Sequence, residues 1–185
     1  MRKNFGVKSW FYPQPVLIIA TYDENGSPDA MNAAWGGLYD GNKVELCLSA
    51  GHKTTKNIRA TGAFTVSFAD AANLVASDYV GLASANTEPK KMEKSGFPLT
   101  KSQFVNAPLI DELPVAMECK LVKINEDGNV IGEIVNVSAD ESVLGEDGNI
   151  DFSKFRPISF EPVHNGYHVL GQRVGNAFQD GAALK

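Results

Sequence analysis

Short apolar runs, several of them alternating with polar positions, recur along the chain. They are parted by Asn25-Gly26, Asp40-Gly41, Asp127-Gly128 and Asp147-Gly148, dipeptides that tolerate the positive φ of tight turns. The pattern predicts a mainly antiparallel β protein. Residues 16–22 and 29–36 form a first hairpin, and 43–49 follows through Asp40-Gly41. A helix over 54–61 stops at Gly62, and 64–68 alternates Phe, Val and Phe with Thr and Ser as a half-buried strand does. Asp70 is placed to cap a helix over 71–81, and Thr87 a shorter one running toward Lys94 and ending at Gly96. The clearest hairpin joins 115–124, with Val115, Met117, Cys119 and Leu121 on one face, to 130–137. Closing such strands on themselves removes exposed edges, and strict βαβ alternation is missing, so the expectation is a small β-barrel with helical insertions. Residues 96–113 carry no clear period.

The 185 residues suit one domain, 1–185, and 43% hydrophobic with 21% charged residues is a globular composition. The net charge is -5 and the 17 basic residues are scattered, which argues against nucleic acid as a partner. The longest apolar run near the start, 16–20, is too short for a signal core or a membrane span, so a cytoplasmic protein is expected. Cys47 and Cys119 lie in apolar, strand-like segments and are expected as buried thiols, and no CxxC or HExxH spacing suggests a metal.

Two neighbouring segments carry the chemistry. Asn32-Ala33-Ala34-Trp35-Gly36-Gly37 leaves a predicted strand with small side chains, so a flat ligand can approach the backbone beside the Trp35 face and the Asn32 amide. A strand end packed by one core tryptophan fits the same residues. Ser49-Ala50-Gly51-His52-Lys53-Thr54-Thr55 opens a helix, whose unpaired N–H groups and dipole favour an anion. An ordinary capped helix with a solvated lysine fits equally. Micromolar affinity needs about 8 kcal/mol net, after association has cost roughly 4–15 kcal/mol, so a phosphate grip needs help. A three-ring heterocycle against Ala33, Ala34 and Trp35 would bury on the order of 200 Å², or ~5 kcal/mol, and the two segments together describe a mononucleotide site. GxGxxG, GxxxxGK[ST] and GxSxG are all missing, which removes Rossmann, P-loop and serine-hydrolase readings. His164 and His168 are expected in a loop because Asn165-Gly166 interrupts a helix, and Tyr167 is either an aromatic cover for a ligand or a core or dimer contact.

In this order, the residues resemble the flavin reductase-like family of FMN-binding split barrels, specifically its flavoredoxin-like members. The resemblance rests on Pro15-Val16-Leu17-Ile18-Ile19, Met31-Asn32-Ala33-Ala34-Trp35, Ser49 with His52-Lys53-Thr54-Thr55-Lys56-Asn57-Ile58, and Phe64-Thr65-Val66. It continues through Lys101-Ser102-Gln103-Phe104-Val105, Ala107-Pro108-Leu109-Ile110, Glu118-Cys119-Lys120, Tyr167-His168-Val169-Leu170-Gly171 and Gly175-Asn176-Ala177-Phe178-Gln179-Asp180-Gly181. It implies a homodimer of Greek-key split β-barrels with FMN near the subunit interface. Asn32, Ala33, Ala34 and Trp35 would line the isoalloxazine, with Leu48 beside the site, and Ser49, His52, Lys53, Thr54 and Thr55 would hold the phosphate. Where the family often has Ser-Gly-x-x-x-Asp-Lys-Phe, this chain has Ser84-Ala85-Asn86-Thr87-Glu88-Pro89-Lys90-Lys91-Met92. It matches at the serine and a lysine, which adds Ser84, Asn86 and Lys91 to the set. The implied activity is that of an FMN-dependent oxidoreductase taking electrons from NAD(P)H. The alternative is an electron-transfer module reduced by a redox protein.

Overall fold

The computed structural model describes residues 1–185, and its centre is one seven-stranded antiparallel sheet. In chain order the strands of the protein are β1 (Gln14–Pro15), β2 (Leu17–Tyr22), β3 (Pro28–Ala33), β4 (Gly36–Asp40), β5 (Lys43–Leu46), β6 (Ala63–Phe68), β7 (Leu99–Lys101), β8 (Pro108–Ile110), β9 (Val115–Ile124), β10 (Val130–Ala139), β11 (Ile158–Glu161) and β12 (Gly166–Val169). The helices are α1 (Lys53–Thr61), α2 (Leu74–Leu82) and α3 (Lys91–Ser95). The large sheet runs β3-β2-β6-β9-β10-β5-β4, so its two edge strands are consecutive in sequence, joined only by Ala34-Trp35. A sheet whose ends are tied by two residues must curl round, which produces a barrel split along one unpaired seam. The ligand-facing segment expected from the sequence lies on that seam.

β2 explains why residues 16–20 read as a continuous apolar run. Alternate side chains enter two different cores. Leu17 and Ile19 join Val44, Leu46, Ile58, Phe64, Val66 and Val130 inside the barrel, whereas Val16, Ile18 and Ala20 pack outside with Val80 of α2, Phe97, Ile110 and Ile158. Phe64 is wholly buried and lies so close to Gly132 that a Cβ there would overlap its ring.

Several expected boundaries move for local reasons. The strand expected over 29–36 is two strands, because β2 ends its pairing with Ala33 at Leu17, and Gly36 already pairs with Leu46 across the seam. A Cβ at Gly36 would lie 2.8 Å from Leu46 Cδ2, so the crossing needs a glycine. Asp70 precedes α2 rather than capping it: its carboxylate accepts the Asn73 N–H at 2.9 Å and closes a turn, which delays the helix to Leu74. Pro89 holds the residue before it out of the helical region, so α3 starts at Lys91 while Thr87 closes a turn on the Ser84 carbonyl. Within 96–113 the short hairpin β7–β8 escapes a periodicity reading because its strands have three residues each. His168 belongs to β12, with Asn165 taking the positive φ of the turn. Cys119 is buried as expected, but Cys47 is exposed, since β5 ends at Leu46 and Cys47 follows it out to the seam.

Candidate functional site

α1 begins with none of the usual caps. His52 at the N-cap is extended (φ -64, ψ 142), its side chain makes no capping bond, and the first turn holds no acidic residue. The N–H groups of Lys53, Thr54 and Thr55 have no acceptor within the helix. Thr55 is 1% exposed and its Oγ1 is buried without a partner. A buried hydroxyl and several amide donors are thus left over at one helix start, which is the donor set a phosphate requires.

The polar side chains around this start divide into two groups. Thr54 Oγ1 donates to Asp29 Oδ2 at 2.6 Å, and Lys91 Nζ pairs with Asp29 Oδ1 at 3.1 Å, both inside the protein, with the Lys91 and Asp29 side chains 4% and 1% exposed. Lys53 Nζ pairs with Asp23 at 3.1 Å. The Asp23 carboxyl is held below its ordinary range, first by the Ser27 N–H and also by Lys53. These contacts fix α1 and α3 against β3 and the turn after β2, and the charges of Lys53 and Lys91 in them are already balanced. The second group faces the rim. Asn86 Nδ2 donates to the Gly51 carbonyl at 3.0 Å, its N–H and Nδ2 reach Ser84 Oγ, and its Oδ1 accepts from Lys56 Nζ at 3.1 Å. The turn holding Ser84 and Asn86 is thereby docked onto the loop holding exposed Ser49 and His52. Lys56 makes no ion pair, so it is an unneutralised cation at this rim.

On the seam, Asn32 Nδ2 donates to the Ser77 carbonyl at 3.0 Å, and α2 lies so close that a Cβ at Gly81 would sit 2.9 Å from Asn32 Cβ. Tyr167 from β12 donates its OH to Asp78 at 2.7 Å, also within reach of Asn32, and burial followed by Asp78 pushes its pKa from 10.0 to about 12. Ala33 and Ala34 are half-buried and Leu48 is buried. Trp35 is 56% exposed and overlooks an open cavity of about 410 Å³ shared with Phe11, Gly37 and Cys47. None of the α1-start residues lines that cavity, so the structure joins Ser84 and Asn86 to the α1 start but leaves the Trp35 indole apart from it. The partners Asp23 and Asp29 escape a motif reading, and Lys56 lies within a motif of the resemblance that gives it no role. Asp29 carries the one available signal, the lone charged side chain of its strand.

Residues 9–159 match the family model described as "Flavin reductase like domain". Among solved structures, flavoredoxin of Desulfovibrio vulgaris (Miyazaki F) superposes with a TM-score of 0.94 at 34% identity, covering 98% of this chain and 100% of that one. A flavoredoxin from Methanosarcina acetivorans gives 0.90 at 25% identity over 100% of both. The FMN-binding domain of a flavin reductases-like enzyme from Shewanella baltica OS155 shares the fold, with a TM-score of 0.78 at 21% identity over 88% and 89%. No helix of the structure is long and apolar enough to cross a membrane. The curled seven-stranded sheet, its seam, and a family match spanning most of the chain place this protein in the flavin reductase-like family of split barrels.

Proposed function

We propose that the protein is an FMN-binding oxidoreductase that accepts electrons from NADH or NADPH and works as a homodimer. The observation that carries this reading is the uncapped start of α1 with the partnerless Thr55 hydroxyl, beside the small residues of the seam, in a chain of this family. Bound flavin would supply the electron acceptor and donor, so no side chain is asked to carry electrons. The chain binds and orients. The N–H groups opening α1, with the hydroxyls of Ser49 and Thr55, would hold the phosphate, with His52 beside them, and Lys56 would add positive charge at the rim. The backbone of Asn32–Ala34 would flank the ring, with N–H groups placed to stabilise charge that builds there on reduction.

Titrating flavin-free protein with FMN and with riboflavin tests the site. FMN binding markedly tighter than riboflavin supports it, and no flavin absorbance change with either ends it. A second reading, an electron-transfer module reduced by a redox protein, is favoured by the likeness to flavoredoxins over nearly the whole chain. Anaerobic mixing with NADH and NADPH separates the two: rapid bleaching of the flavin selects the enzyme, and a flavin that stays oxidised selects the module.

A further inference from the structure

Two stretches of this chain carry apolar side chains that its own body leaves in water. Residues 1–13 and 171–185 are exposed throughout, and Val174, Phe178 and Leu184 are 101%, 107% and 94% exposed. Chain ends left this free are commonly without fixed shape. The C-terminal arm instead has its own turns. Asp180 accepts the Asn176 N–H at 2.8 Å, the Arg173 side chain donates to the Gly175 carbonyl and to Asn176, and a 3-10 turn closes Asp180–Leu184. Phe178 sits at φ 63, left-handed backbone that a bulky residue adopts only when something holds it there.

The body has a matching hole. An apolar cavity of about 540 Å³ opens between the barrel and the segment before β11, walled by Phe68, Met117, Val137, Phe152 and Phe155. Pro13 and Leu170 also stand in its wall, so both arms leave the body at its rim. The eight residues 171–178 reach at most ~26 Å. The local turns hold Phe178 in water rather than folded back onto its own cavity. A two-fold axis beside the rim would put each copy's arm next to the other's cavity, a self-complementary contact of the kind a symmetric dimer requires.

We infer that the C-terminal arm of one copy seats Phe178 in this cavity of a second copy, reciprocally. Each of Phe178, Val174 and Leu184 would bury on the order of 100–200 Å², so two arms with two receiving cavities approach the ~1,600 Å² of an ordinary stable interface. This goes beyond the homodimer proposed above by naming the contact, and it is independent of flavin.

The test uses the full chain with Cys47→Ser, which leaves only the buried Cys119. One preparation carries Phe178→Cys, the other Phe152→Cys, and the two are mixed and oxidised. A cross-linked dimer that forms in the mixture well above the level in either preparation alone supports the arm contact. A mixture that yields no such dimer overturns it, as does a doubly substituted chain that cross-links only within itself. Phe178→Asp, whose side chain lies outside the body, leaves the circular dichroism unchanged and weakens dimerisation at least 100-fold in sedimentation. A dimer of unchanged affinity would refute the arm contact while leaving the homodimer standing.

Discussion

Replacing Thr55 by valine is expected to move stability and ligand affinity in opposite directions. The hydroxyl of Thr55 is buried with no hydrogen-bond partner, and leaving such a group unsatisfied costs about 1–3 kcal/mol. Valine keeps the shape and removes the unpaired oxygen, so the flavin-free variant should melt higher, by about 2–4 °C for each kcal/mol recovered in a chain of this size. The phosphate of FMN would give the hydroxyl its partner after a rotation about χ1. Losing that charge-assisted bond, worth about 1.5–3 kcal/mol, lowers FMN affinity roughly 10- to 150-fold. Riboflavin, which lacks the phosphate, should lose little. Thermal melts of flavin-free protein and flavin titrations followed by absorbance measure both effects. Thr54→Val is the internal contrast, since Thr54 donates to buried Asp29 and its loss should lower the melting temperature of the flavin-free protein. A Thr55→Val protein that melts several degrees lower, or that weakens FMN and riboflavin equally, would refute the reasoning.

Lys91→Met leaves the Asp29 carboxylate buried without its cation and should destabilise by about 3–5 kcal/mol, read as a fall in melting temperature that Lys91→Met with Asp29→Asn largely restores. Tyr167, raised from 10.0 to about 12, contributes stability that is whole below pH 10 and is lost as the pH climbs through about 12. Burial raises Tyr22 as well, so two of the five tyrosines should ionise late in an absorbance titration, and Tyr167→Phe should remove one of the two late steps. A thiol reagent should modify Cys47 alone in the native protein and both cysteines after unfolding, because burial and then Glu118 push the Cys119 thiol up to about 12.

What could be read from the sequence followed from how far each signal reaches along the chain. The β9–β10 hairpin, the α1 stop at Gly62 and the barrel were legible because alternation, a left-handed glycine and turn dipeptides act over a few residues. The break at Ala34-Trp35 is not, because it is set by Leu17 at the first position of β2 and Leu46 at the last position of β5, residues far apart in sequence. The same limit applies at the site. Lys53, Thr54 and Lys91 have the residue types of an anion cup, and local spacing cannot tell a donor that awaits a ligand from one already bonded to Asp23 or Asp29. Asn86 was reached through the family resemblance alone, and its bond to the Gly51 carbonyl shows why a residue 35 positions away belongs to the helix start.

The paired charges also determine where attraction for an anion comes from. Lys53 is balanced by Asp23 and Lys91 by Asp29, so neither adds a free charge to the rim. Two sources remain: the N-terminal end of α1, equivalent to roughly half a positive charge and undiminished by any acidic residue in its first turn, and Lys56, whose only recorded partner is the neutral Asn86 amide. The buried pairs therefore act on the site by position. Asp29, held on β3, grips Thr54 at the helix start and Lys91 at the start of α3, so one carboxylate sets both the direction in which the free amides point and the place of the segment that follows Ser84 and Asn86. A chain with net charge -5 can in this way hold a locally attractive seat for an anion, built from backbone dipoles and one lysine rather than from a basic patch.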